Sequence, residues 1–136
     1  MSNPIIRAAL ESRLATWAAI QSPPIIVSYQ NVAFNKPADD ETPFLECFLI
    51  PNTVMSRDVA QTKQRRYGLF QINVWCPQGA GMGIAEALAE SIASLFGPLP
   101  KNGPVFIEQP PTIDPAILDD ASWVIVPVLV KYRYES

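Results

Sequence analysis

The chain has no histidine among its 136 residues, and this absence removes more chemistry than any other feature. Without an imidazole, every Ser-His, Cys-His and His-metal arrangement is excluded. Cysteine is nearly as scarce. Cys47 and Cys76 are two thiols with no histidine beside them, too few for the four protein ligands of a structural zinc site. Both lie in strand-like segments, which suits small buried hydrophobes kept reduced rather than a disulfide or a nucleophile. Long apolar runs are missing: no stretch approaches the roughly twenty residues that cross a bilayer, and "MSNPIIRAALESR" lacks the basic-then-apolar layout of a signal peptide. A cytosolic chain with no membrane partner is expected. Positive charge is in short supply as well, with 10 Lys and Arg against 13 Asp and Glu for a net charge of -3, which argues against bulk nucleic acid or an anionic membrane as the main partner.

What is present suits one domain over residues 1–136, because 49% hydrophobic and 17% charged residues in a chain of this length supply a single core. There is no internal repeat and no low-complexity segment. Asn3 and Pro4 form a helix start, an amide acceptor followed by a residue with no N–H to lose. Ile6, Leu10, Leu14 and Trp17 then recur at helical spacing with Ala9 and Ala18 beside them, until "QSPP" ends the helix. A short strand is expected from Ile25 to about Gln30, then an exposed acidic loop, "NKPADDETP". "FLECFLIP" is apolar on both faces apart from Glu46, which predicts a central or covered strand. From Asn52 to about Gln64 no apolar period is sustained, and the next strand runs from about Arg65 to Cys76, so a long hairpin is implied. In that strand Phe70, Ile72, Val74 and Cys76 form an aliphatic face, while Leu69, Gln71, Asn73 and Trp75 form a mixed aromatic and amide face. "PQGAGMG" is a turn before a second helix marked by Ile84, Leu88, Ile92, Leu95 and Phe96, with Ala85, Ala89 and Ala93 on a neighbouring face. "VFIEQP" and "WVIVPVLVKYRYE" are the last strands, and Pro127 calls for a bulge or an edge position. The fold class is α+β: a largely antiparallel sheet of about five strands with two helices packed on one face, a two-layer sandwich.

Candidate chemistry is thin. "GAGMGIAEALA" has glycines before a helix, but no Lys followed by Ser or Thr after them and no βαβ unit around them, so a flexible turn fits better than a phosphate loop. Asp39, Asp40 and Glu41, and again Asp119 and Asp120, are adjacent carboxylates of the kind that loops simply leave solvated. No catalytic group, metal site or cofactor follows from these residues. The clearest functional signal is cationic. Arg57, Lys63, Arg65 and Arg66 place four of the ten cations in the hairpin between the second and third strands, against one acid, Asp58. Either this is an ordinary solvated loop, or it is an arm that reaches the acidic surfaces around Asp39–Glu41 and Asp119–Asp120 on a neighbour. Tyr67, Leu69 and Trp75 are the apolar anchors such a contact needs, unless the chain's own loop covers them. A protein with a basic arm on one side and acidic loops on another can make head-to-tail contacts, and such a contact that closes generates a ring.

Taken in order, "NPIIRAALESRLATWAA", "VSYQNVAFNKP", "YGLFQINVWCPQGAGMGIAEALAESIASLF" and "VPVLVKYRY" resemble a phage-related family found in siphophages and prophages, over nearly the whole chain. That family is similar to the tail terminator, or tail completion, proteins of long-tailed phages. The resemblance implies a small α+β structural protein, not an enzyme. It would be assembled in the bacterial cytoplasm into the virion tail, where a hexameric ring caps the tail tube and joins the head connector. By the same resemblance the cationic hairpin meets neighbouring subunits or lines the lumen, where it would meet passing DNA through phosphate attraction alone. Another head–tail component such as a neck stopper or adaptor is the nearest alternative. A nucleic-acid-binding module would show salt-sensitive DNA binding, and a small enzyme would show a deep pocket with converging polar groups.

Overall fold

The computed structural model describes residues 3–21, 24–30, 43–56, 64–77, 82–97, 105–107, 109–119 and 123–135, with backbone alone at 3, 52–56, 64–65, 82, 118–119 and 135. Along the chain run α1 (Asn3–Ala19), β1 (Ile26–Ser28), β2 (Phe44–Ser56), β3 (Gln64–Pro77), α2 (Met82–Leu95), β4 (Val105–Phe106), β5 (Thr112–Ile113), β6 (Ile117–Asp119) and β7 (Trp123–Glu135). The strands form one sheet in the order β1-β2-β3-β7-β4, with β5 and β6 also pairing along β7. None of the described helices is long and apolar enough to cross a membrane.

The fold is α+β as expected, but the sheet is mixed rather than largely antiparallel, and it has seven strands rather than about five. β1 runs parallel to β2, with Ile26 beside Phe44 and Ser28 beside Glu46. A parallel pair needs a crossover of about a dozen residues or more, and residues 29–43 supply that length. The extra strands are β5 and β6, too short to give a period in the sequence.

Alternation decides which side chains meet. On one face of the sheet, Leu45, Cys47 and Leu49 of β2, Phe70, Ile72, Val74 and Cys76 of β3, and Val124, Val126, Val128 and Val130 of β7 are all buried in one cluster. Ile6, Leu10 and Leu14 of α1 join it, as do Ala85, Ala89, Ile92 and Phe96 beyond or within α2. The second helix keeps Ile92 and Phe96 of the expected stripe in the core and corrects its start: Ala85 and Ala89 are buried, and Ile84 is 46% exposed. Small side chains at positions 85 and 89 let the helix backbone approach the sheet, so close packing outweighs the larger transfer free energy of an isoleucine. Phe96 meets Phe70 edge to face at 5.7 Å.

Helix ends are satisfied locally. The carbonyl of Ala18 accepts from the Gln21 and Ile25 amides, and that of Trp17 from the Gln21 side chain. Arg13 of α1 donates from Nε to the Leu95 carbonyl at 3.0 Å, which places a cation at the negative end of α2 and ties the two helices together.

Pro127 causes no bulge against β3, where it pairs in register with Asn73. Its carbonyl accepts from the Asp114 amide at 2.9 Å, on the side where β5 gives way to β6. The nitrogen of a strand residue faces the same side as its carbonyl, so the missing donor points into that break and costs no ladder bond. The irregularity lies instead in β2, where Asn52 and Thr53 stand against Tyr67 alone.

Candidate interaction surface

The opposite face of the same strands is built differently. Register places Phe44, Glu46, Phe48 and Ile50 of β2 beside Trp75, Asn73, Gln71 and Leu69 of β3, and these beside Ile125, Pro127, Leu129 and Lys131 of β7. At one end is an aromatic cluster. The Phe44 and Trp75 rings stack at 5.3 Å, and Trp123 meets Phe44 edge-on at 5.2 Å and Trp75 at 6.3 Å. Trp75 is half-buried and packs against side chains of its own chain, Phe44 of β2 and Trp123 of β7.

Beside the rings runs a polar row. Glu46 Oε1 accepts from the Trp75 indole at 3.2 Å and from the Asn73 amide at 3.3 Å, and Asn73 in turn accepts from Gln71 at 2.9 Å. Glu46 was an acidic interruption in the sequence pattern; in the fold it is the acceptor that fixes two side chains of β3. Toward the hairpin the face becomes apolar and open: Ile50 is 41% exposed, Leu69 is half-buried and Lys131 stands exposed beside it. Ile26 and Ile117, on the strands flanking this face, are 47% and 53% exposed.

Alternation divides the cationic hairpin. Tyr67 falls on the open face and Arg66 on the core face, where its charge acts on the Tyr132 phenol. Burial pushes that phenol above its ordinary pKa, and Arg66 and Arg7 pull it partly back. Tyr67 lies opposite Arg133, whose guanidinium sits 4.8 Å from the Phe106 ring centroid. Lys131 and Arg133 are therefore cationic neighbours of the hairpin base that reading along the chain did not group with it; only the pairing of β3 with β7 brings them there. Arg57, Lys63, Asp39, Asp40, Glu41 and Asp120 lie outside the described residues, as do the side chains of Arg65 and Asp119. Asp119 is in β6, paired with Trp123.

At the β1 edge is a groove of about 930 Å³ lined by residues including Arg7, Glu11, Tyr29, Gln30 and Phe48. Its polar groups are engaged with one another. Arg7 donates to Glu11 at 3.0 Å and to Gln30 at 2.9 Å, and Gln30 accepts from the Leu49 amide at 2.8 Å. That last bond satisfies the edge of β2 beyond the end of β1. Both thiols are inert: burial, and then the Glu11 carboxylate, push Cys47 up to about 12, and burial pushes Cys76 up to about 11.

The described residues thus form one tightly packed sheet face, one open face rich in aromatic, amide and isoleucine side chains, and two buried thiols. A family model for phage tail terminator proteins matches residues 5–132, and the chain belongs to that family, whose members are structural components of the virion tail rather than enzymes. A solved structure aligned over 98% of this chain and 96% of its own shares 32% sequence identity at a TM-score of 0.78. No curated protein matches the chain.

Proposed function

We propose that the protein closes the tail tube as a hexameric ring and forms the tail side of the head–tail joint, with the tube protein on one side and the head connector on the other. The observation that carries this reading is the open sheet face around Ile50, Leu69 and Lys131, an apolar surface with a polar and cationic rim in a chain of the tail terminator family. Interfaces of this composition gain affinity from the apolar centre and orientation from the charged rim. The cationic hairpin residues Arg57, Lys63 and Arg65 contact a neighbouring subunit, and any of them that face the lumen meet passing DNA through its phosphates, without sequence preference. Light scattering on a sizing column across a range of concentrations, followed by negative-stain imaging, tests the ring. Hexamers or rings support it, and Ile50→Asp then lowers the assembled fraction while the fold is retained. A protein that stays monomeric in solution and also fails to appear on purified tails defeats the reading.

A further inference from the structure

A second groove lies at the far edge of the sheet, where α2 passes beside β5, and the contact surface described above does not include it. It measures about 340 Å³ and is lined by Glu86, Glu90 and Asp114 together with the apolar Ile113, Pro115 and Ala116. Its floor is open, with Ile113 39% exposed, and no cation lines it among the described residues. Glu86 and Glu90 are exposed one turn apart on α2, where like charges repel and weaken a helix. Asp114 is fixed beside them by its own amide, which donates to Pro127.

An apolar floor between carboxylate walls suits Arg and Lys, which lay methylene stems on apolar surface and present charge at the tip. The chain carries such a segment in Arg57, Lys63 and Arg65. Within one copy the two cannot meet. Ile113 lies opposite Val128, and Val128 opposite Ile72; from residue 72 back to residue 64, at ~3.3 Å per residue, is about 26 Å. The connection over residues 57–63 is anchored where Ser56 pairs with Gln64, and a doubled-back segment of that length extends at most about 12 Å from its ends. An arm at the end of the hairpin and a receptor at the sheet edge are different surfaces, which is the arrangement of a head-to-tail contact. We infer that the groove between α2 and β5 receives the cationic arm of a second copy of this chain. The inference rests on the ring reading and names the receiving site of its subunit contact.

The test compares the full-length parent with a groove variant, Glu86→Lys with Glu90→Lys, an arm variant, Arg57→Glu with Lys63→Glu, and an equimolar mixture of the two variants. Circular dichroism verifies that each variant is folded. By light scattering each variant alone should assemble on the order of tenfold more weakly than the parent, and the mixture should regain assembly, because each reversed surface then finds its complement. A groove variant that assembles like the parent overturns the groove while the ring stands. If the parent itself stays monomeric, it is the ring in solution that fails, and titration with a synthetic peptide of residues 55–67 decides the groove. Binding about tenfold weaker to the groove variant than to the parent supports it, and equal binding to both overturns it.

Discussion

The two faces of β2, β3 and β7 share one backbone and one register, yet they are built for different ends. On the inner face every position from Leu45 to Leu49, Phe70 to Cys76 and Val124 to Val130 that points inward is apolar and buried. On the outer face the same strands alternate rings, amides, a carboxylate and exposed isoleucines. A side chain buried in the first layer contributes about 1.5–3 kcal/mol by leaving water. On the second, Phe44, Trp123 and Pro127 are buried, but Leu69 is only partly covered and Ile50 is exposed, so apolar surface is left open toward the hairpin. Stability is concentrated on one face, and the contact surface we propose lies on the other.

Substitutions that separate the faces sharpen this contrast. The largest loss is expected from Phe70→Ala, which removes an inner ring packed on Phe96 and should cost about 3–5 kcal/mol in urea denaturation. Gly68→Ala comes next. A Cβ there would clash with the Tyr132 hydroxyl and come within 2.6 Å of the Ile50 carbonyl oxygen, so a loss of about 1–3 kcal/mol is expected from overpacking. Alkali should act on the inner face as well. An unfolded thiol ionises near its ordinary 9.0, whereas folded Cys47 and Cys76 resist up to about 12 and 11. Raised folded values mean that this contribution is complete below pH 9 and is lost as pH rises from there toward 12. Thermal melts between pH 7 and 11 should fall above 9, and Cys47→Ala should flatten the fall. The smallest effect is expected on the outer face, from Glu46→Ala. Asn73 and Trp75 lose their acceptor, but both are half-buried and water replaces it, so about 1 kcal/mol is expected. A loss as large as that of Phe70→Ala would break the division between the faces.

Much of the inner face was legible in the sequence because a two-residue period is a local property. Phe70, Ile72, Val74 and Cys76 were grouped correctly from spacing alone, as were Ile6, Leu10 and Leu14 of α1. In α2 the same logic held for Ile92 and Phe96, with Leu88 and Leu95 partly buried beside them, and missed at Ile84. Two stripes, Ile84 with Leu88 and Ala85 with Ala89, run side by side on that helix, and hydrophobicity favours the larger pair. In the first turns Ala85 and Ala89 are buried and Ile84 is exposed, while one and two turns further on Ile92 and Phe96 fill the same row. The candidate surface was legible in part: Leu69 and Trp75 were placed outward, but Glu46, Lys131 and Arg133 come from other strands and join them only through cross-strand register.

The sequence by itself determined the two helices, the approximate places of the long strands and which face of each is apolar, because steric preference and side-chain period act over a few residues. It also carried the family likeness and the cationic character of residues 57–66. Only the tertiary structure decided that β1 runs parallel to β2, that Ala85 and Ala89 rather than Ile84 are buried, that Lys131 and Arg133 stand beside Leu69 and Tyr67, and that Glu86, Glu90 and Asp114 wall one groove. These depend on how distant segments are brought together, and that is set by the packing of the whole chain rather than by any stretch of it.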